Sequence, residues 1–103
     1  MTAFRFEWDK EKNRTNQRKH GVSFEEAAQV FLDPLHLSHQ DRIEGGEQRW
    51  QTFGLSAGFV LLMVAHTIIT QEEAGGDIVE VIRIISARRA NLKEKQRYEN
   101  ENG

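Results

Sequence analysis

The feature that most constrains the fold is an apolar, β-branched segment near the end of the chain, residues 78–87. Val and Ile pack well on a pleated surface, and a run with so little polar alternation is typical of an interior strand covered on both faces. One residue interrupts the run. Arg83 must be ion-paired, exposed on an uncovered face, or in contact with an anionic ligand, because an unpaired guanidinium is costly to bury.

A first helix is predicted over residues 10–20. Asp9 precedes it as an N-cap residue, and Gly21 follows His20 in the position that favours a left-handed backbone. This helix is almost wholly polar and has no apolar stripe. Such a helix either bridges solvent or carries functional side chains.

A second helix is predicted to begin at once, because Ser23-Phe24-Glu25-Glu26 forms a capping box. It runs to about residue 31, and Pro34 disfavours helix at the residue before it. The two helices should therefore form an αα-hairpin with a tight elbow.

The remaining elements are predicted to be mostly strands. They are a strand at 4–8, a short edge strand at 35–38, a polar loop at 41–47, an antiparallel hairpin of 49–55 and 59–67, a loop at 71–77, the strand at 78–87 and a helix at 90–100. This order indicates a single α+β domain spanning residues 1–103, with an antiparallel sheet, the N-terminal αα-hairpin and a C-terminal helix.

Charge is unevenly distributed although the net charge is −2. Residues 1–22 hold six Lys and Arg against three acids, residues 81–103 hold the same balance, and residues 23–80 hold two against ten. If the two ends meet in space, they form a basic patch suited to nucleic acid or phosphate. The alternative is that these charges only solvate two helices.

Composition excludes several classes of protein. The chain has no Cys, so disulfides and thiolate chemistry are impossible. The longest apolar run, residues 59–65, is too short to span a membrane, and no signal peptide is visible. We therefore expect a soluble cytoplasmic protein.

Common catalytic motifs are also missing, among them the phosphate-binding Gly-rich loop and the zinc-binding His-Glu-x-x-His. His36 and His39 are three residues apart but lack a third ligand, so we expect neither a metal nor another cofactor. The available Lys, Arg and His suit RNA cleavage by the ribose 2′-hydroxyl. That reaction needs a proton acceptor, a proton donor and cations for the phosphorane.

Seven residues are candidates for this chemistry, and each has an ordinary alternative. His20 could transfer protons or only favour a helix C-terminus. Arg49 could bind phosphate, stack on Trp50 or pair with Glu47. Lys12 could be an ordinary helix-surface charge and Lys19 a solvated helix-end charge. Arg83 could be paired or exposed as described above, and Arg88 and Arg89 could be charges at the end of the strand that leads into the last helix.

Four segments of the chain resemble the BrnT family of toxins from bacterial toxin–antitoxin pairs, which are related in fold to RelE. They are Phe6-Glu7-Trp8-Asp9 with Lys12 and Asn16; residues 19–27; Glu47, Arg49 and Trp50 leading to Gly54; and residues 83–90 followed by Glu94 and Tyr98. Together they span nearly the whole chain.

The resemblance implies a RelE-like fold and a metal-independent endoribonuclease that arrests translation. It also implies a BrnA-like antitoxin, whose ribbon-helix-helix half binds operator DNA and whose other half blocks the toxin. Operator DNA would then be bound only indirectly, through the antitoxin. On this interpretation His20, Arg49 and Arg83 are catalytic, and Lys12, Lys19, Arg88 and Arg89 bind RNA.

Two other functions stay open. The chain could be a catalytically inactive partner that acts with its antitoxin in operon autoregulation; scattered basic residues would favour this. An unrelated small ligand-binding domain is the third possibility, and it rests on fold analogy alone.

Overall fold

The computed structural model describes residues 2–102, which form one five-stranded sheet with helices packed against it. The elements are β1 (Thr2–Glu7), α1 (Lys10–His20), α2 (Phe24–Ala28), a 3₁₀ turn (Gln29–Leu32), β2 (Leu37–Glu44), β3 (Glu47–Ser56), β4 (Val60–Glu72), β5 (Ile78–Arg89) and α3 (Leu92–Asn102).

The sheet is mixed, with strand order β1-β5-β4-β3-β2. Strands β2 to β5 pair antiparallel, but β1 pairs parallel to β5, with Phe6 opposite Ile82. The prediction of an antiparallel sheet was therefore wrong at this edge. Alternation identified β1 as a strand, but its partner lies about 76 positions later in the chain. No hairpin turn could have indicated their relative direction.

The predicted loop at 41–47 is largely strand, whereas the predicted loop at 71–77 is strand only in its first two residues. Strand β2 runs to Glu44 and turns at Gly45 and Gly46, whose φ angles are 60° and 81°. Strand β4 likewise continues to Glu72. Both extensions are exposed, so they lack the apolar alternation by which a strand is detected in sequence.

The apolar core lies between the sheet and the segment from α2 to the 3₁₀ turn. Phe24, Ala27 and Val30 are fully buried against Leu62, Val64, Ile82 and Ile84 of the strands. Gly54 permits this packing, because a Cβ atom there would lie 2.8 Å from Cγ1 of Val30. The predicted capping box is present: the Glu26 N–H donates to Ser23 Oγ, and the Ser23 N–H donates to the Glu26 carboxylate.

One titratable group lies inside this core. His66 is fully buried, its Nε2 lies 2.7 Å from the Thr52 hydroxyl, and its ring packs edge-on against Phe31. Burial lowers the pKa of His66 to about 4. The imidazole is therefore neutral near pH 7, as a packed core requires.

Helix α1 is attached to the sheet by an amide side chain. Strand β1 pairs with β5 only as far as Glu7 opposite Arg83, whereas β5 continues to Arg89. Beyond that point the Asn16 amide takes the place of a strand: it donates to the Ala87 carbonyl at 2.8 Å and accepts from the Ala87 N–H at 3.1 Å. A third bond joins Asn16 to the Val22 carbonyl at 2.8 Å.

Helix α3 lies on the opposite side of the sheet from α2. Its Tyr98 is buried and donates to Asp33 at 2.6 Å. Burial and this hydrogen bond raise the pKa of Tyr98 to about 12. Within residues 2–102, no helix has both the length and the apolar character needed to cross a membrane.

Candidate nucleic-acid interface

The predicted cationic residues of the strands share one side of the sheet. Ile82 and Ile84 face the core, so Arg83 between them faces the opposite side. Thr52 contacts the core histidine, so Arg49, three residues before it, also faces away from the core. We call this side, opposite α2 and partly covered by α3, the open face.

A groove of about 350 Å³ crosses the open face from α1 to β2, and we call it the sheet groove. Lys12 and Arg49 lie on opposite sides of a floor made by Ala65, Ile85 and Ser86. Three charged residues of β2 complete the lining, namely Asp41, Arg42 and Glu44.

A second groove of about 340 Å³ runs along α1, and we call it the α1 groove. Lys12, Lys19 and His20 line it together with Glu11, Thr15 and Asn16 of the same helix. The two grooves are continuous, because Lys12, Ile85 and Ser86 belong to both. A helix rises 1.5 Å per residue, so His20 lies about 12 Å along α1 from Lys12.

Most of the Lys and Arg side chains that line the two grooves have no ion-pair partner among residues 2–102. Lys12, Lys19 and Arg49 make no ion pair with any residue in the described part of the chain. The Nε atom of Arg49 is buried and has no hydrogen-bond partner among residues 2–102. Arg42 differs, because it pairs with Glu44 at 3.1 Å. A guanidinium without an ion pair among residues 2–102 is available to an external anion such as a phosphate group.

Arg83 is ion-paired instead. Its Nη2 lies 2.7 Å from Oε1 of Glu47, and the two side chains are 40% and 38% exposed. The pair joins β5 to β3 and therefore passes over β4 on the open face. Thr67 is the cross-strand partner of Arg83, and its buried hydroxyl has no hydrogen-bond partner within the described residues. Arg83, Glu47 and Arg49 thus form a polar cluster at the end of the sheet groove.

Arg88 and Arg89 do not join either groove. Arg88 donates two hydrogen bonds to Glu94 of α3, at 2.8 and 2.9 Å. These bonds raise the pKa of Arg88 and lower that of Glu94. Arg89 is exposed at the end of β5, beside Lys95. The structure therefore brings four predicted residues into the grooves, with Arg83 adjacent and these two elsewhere.

The histidines lie apart from the cluster of Arg83, Glu47 and Arg49. His36 contacts the Asp33 carbonyl at 2.8 Å, and His39 contacts Arg97 at 3.3 Å. In the described range, no three His, Asp or Glu side chains are placed to hold a metal ion. His20 is exposed and lines the α1 groove.

Sequence reasoning gave no role to several groups that the structure brings to this surface. Glu47 was considered only as a partner for Arg49, whereas it pairs with Arg83, 36 residues away. Thr67 and Asn16 were not assigned functions, and nothing in their local sequence marks them. A pattern of polar residues inside otherwise apolar strands is the only signal that could have indicated Thr67.

Comparison with known proteins agrees with these observations. A family model described as "Ribonuclease toxin, BrnT, of type II toxin-antitoxin system" matches residues 8–94. The crystal structure of the Brucella abortus ribonuclease toxin BrnT is similar in fold, with a TM-score of 0.53 and 22% sequence identity. The match covers 89% of this chain and 99% of the Brucella chain. No curated protein matches the sequence.

Proposed function

Because this chain belongs to the BrnT family of ribonuclease toxins of type II toxin–antitoxin systems, we propose that it is a metal-independent endoribonuclease. The ribose 2′-oxygen attacks the adjacent phosphorus and the bond from phosphorus to the 5′-oxygen breaks. The products are a 2′,3′-cyclic phosphate and a free 5′-hydroxyl. The observation that carries the proposal is the sheet groove, in which Lys12 and Arg49, neither ion-paired within residues 2–102, face each other across an uncharged floor.

The cations of the open face stabilise the transition state. Arg49, which lines the sheet groove, donates to a phosphate oxygen, and Arg83, adjacent on the same face, supplies a second guanidinium. Negative charge on the phosphorane exceeds that on the ground-state phosphate, so these contacts strengthen as the reaction proceeds.

Two groups compete for the proton of the 2′-hydroxyl. His20 is the candidate from sequence, but it lies about 12 Å along α1 from Lys12. The Glu47 carboxylate is oriented by Arg83 at 2.7 Å and lies two residues from Arg49 on the same strand and face. This placement favours Glu47 as the proton acceptor, with His20 and Lys19 holding flanking phosphates in the α1 groove.

Arg88 and Arg89 contribute differently from the groove residues. Arg88 binds RNA only if it gives up its two bonds to Glu94. Arg89 is exposed, and it would contact RNA that extends past the α1 groove.

The rest of the proposal follows from the family. The protein acts in the cytoplasm, arrests translation by cutting RNA, and has a RelE-like fold with an N-terminal αα-hairpin. Its partner is a BrnA-like antitoxin whose ribbon-helix-helix part binds operator DNA. The acidic middle of the chain, with ten acids against two Arg in residues 23–80, is suited to a basic antitoxin segment.

The decisive experiment incubates the purified protein with RNA in excess EDTA. We expect cleavage that persists in EDTA, and none when the RNA carries 2′-O-methyl groups, because the nucleophile is then blocked. Glu47→Gln and His20→Ala should be compared at the same protein concentration. A greater loss with His20→Ala would assign the proton transfer to His20. Cleavage that requires added metal would contradict the mechanism.

The second candidate is an inactive partner of a DNA-binding antitoxin. The pairing of Arg83 with Glu47 favours it, because that arginine is already neutralised. Harmless expression of the wild-type chain, together with intact free and ribosome-bound RNA, would select this candidate.

A further inference from the structure

A fully exposed aromatic side chain lies at the turn between β3 and β4. Phe59 is 88% exposed, although its backbone is fixed by a hydrogen bond from its N–H to the Ser56 carbonyl at 3.1 Å. Ala57 in the same turn has a φ of 53°, a left-handed conformation that is unusual for a residue with a Cβ atom. The turn therefore presents Phe59 to solvent in a defined position.

The two sides of Phe59 differ in charge. On one side lies a groove of about 250 Å³ that also contains Arg89 and Lys95. Neither cation has an ion-pair partner in the part of the chain that the structure describes. On the other side, Phe59 borders Glu25 and Glu26. An anionic ligand that reaches Phe59 should therefore approach from the side of Arg89.

The α1 groove and the groove beside Phe59 both border β5, the first at Ile85 and Ser86 and the second at Arg89. Asn16 of α1 is bonded to Ala87, two residues before Arg89 on β5. Arg89 lies opposite Leu62, close to the turn that carries Phe59. Arg83 and Arg89 are six residues apart on β5, a separation of roughly 20 Å. Cationic side chains therefore lie at both ends of this stretch of β5, Arg83 beside the sheet groove and Arg89 beside Phe59.

We propose that Phe59, Arg89 and Lys95 form a subsite for single-stranded RNA, several nucleotides from the bond that is cleaved. An unpaired base stacks on the Phe59 ring, and the adjacent phosphates contact Arg89 and Lys95. Every base has a π-face, so the subsite binds without strong sequence preference. The inference rests on the proposed function, because it extends the path of the same substrate.

The test measures binding of a labelled 2′-O-methyl octanucleotide, which the enzyme cannot cleave, to the wild-type protein and its variants. Phe59→Ala should weaken binding by roughly 5- to 150-fold, the range for loss of one stacked base. Phe59→Trp should retain affinity, whereas Phe59→Leu should not, because only an aromatic ring stacks. The matched control is Ile43→Ala, which also removes an exposed apolar side chain, here 70% exposed, from another hairpin.

The proposed contacts of Arg89 and Lys95 with phosphates are tested by the salt dependence of RNA binding. Substituting Arg89 and Lys95 by Ala should lower the slope of log affinity against log salt by about 1.4, since each phosphate contact on a single strand contributes about 0.7. Unchanged melting temperatures would show that the variants are folded.

The outcomes separate the subsite from the proposed function. If wild-type protein cleaves RNA in EDTA but Phe59→Ala binds the octanucleotide as tightly as wild type, the subsite is wrong and the enzyme proposal stands. If wild type neither binds nor cleaves RNA, both proposals fail. If Phe59→Ala binds RNA normally but escapes neutralisation by the antitoxin, Phe59 belongs to a protein interface and the subsite is overturned.

Discussion

On β5, Ile82 and Ile84 are fully buried against α2, whereas Arg83 between them is half exposed on the open face and pairs with Glu47. The same contrast runs across the sheet: Val64 and Gly54 pack on the core face, while Arg49 and Thr67 on the open face carry polar atoms that have no partner among residues 2–102. Alternation of side chains lets one strand serve both purposes. The side chains that stabilise the fold and the side chains proposed for catalysis therefore lie on opposite faces of the same strands. Substitutions can thus affect stability and chemistry separately.

The largest effect should come from the core face. Phe24→Ala removes a fully buried ring that contacts Trp8 edge-on, and we expect unfolding to become easier by about 3–5 kcal/mol. Urea denaturation measures this change. Phe59→Ala is the control, because the same atoms are lost from an exposed position. Equal losses in the two variants would contradict the contrast between buried and exposed positions.

A substitution on the open face should lower the rate of RNA cleavage and leave stability nearly unchanged. Arg83→Ala should lower the rate of RNA cleavage by about 100- to 1,000-fold, as loss of one transition-state donor does. Its stability should change by less than about 1 kcal/mol, because the ion pair with Glu47 is well solvated.

The matched control for Arg83→Ala is Arg5→Ala, which breaks a comparable exposed pair with Glu73 at 3.1 Å. We expect this control to cleave RNA at the wild-type rate. An Arg83→Ala protein that still arrests growth when expressed at the wild-type level would remove Arg83 from the mechanism.

A third substitution concerns the part of β5 beyond the end of β1, where Asn16 of α1 takes the place of a pairing strand. Asn16→Ala leaves the buried N–H and carbonyl of Ala87 and the Val22 carbonyl without their partner, which should cost about 2–3 kcal/mol. Cleavage should also fall, because α1 carries Lys12. Thr15→Ala, at the exposed neighbouring position, should change stability little. Hydrogen exchange at the Ala87 amide would locate the effect.

The smallest expected effect is the loss of folding stability at acid pH that is caused by the buried His66. The folded-state pKa of His66 is about 4 against an ordinary value of 6.5, so the unfolded chain binds more protons between these values. Stability is therefore fully present above about pH 6.5 and is lost as the pH falls towards 4, by about 2 kcal/mol at pH 5.

His66→Gln should remove this part of the pH dependence, because an amide can still reach the Thr52 hydroxyl but does not titrate. Parallel denaturation curves at pH 7 and pH 5 measure the difference. An identical pH dependence in both proteins would show that other groups govern acid stability.

Local elements were predictable because their determinants lie close together in the chain. Asp9 and Gly21 mark the ends of α1 as predicted, and Ser23 with Glu26 marks the start of α2. Helix caps depend on contacts within four residues, so sequence contains all the information they need. The buried face of α1 was not predictable, because Asn13 and Asn16 form it and polar residues give no helical hydrophobic pattern.

The sequence predicted which types of residue form the candidate site better than it predicted how those residues are arranged. The lysines and arginines suggested an anionic substrate, and Lys12 and Arg49 indeed line one groove. Sequence could not show that Arg88 pairs with Glu94 or that Arg83 pairs with Glu47, because several acids could have supplied either partner. It also gave no sign that the buried Thr67 hydroxyl would lack a hydrogen-bond partner among the residues that the structure describes.

By itself, the sequence determined the α+β class, the capped helices, the interior character of β5 and the family to which the chain belongs. Only the tertiary structure decided that β1 lies parallel to β5, that Asn16 completes the edge of β5, and which cations have no ion pair within residues 2–102. These contacts join residues 36 to 76 positions apart. Their formation depends on how the whole sheet closes over its core, since no local preference encodes a partner at that distance.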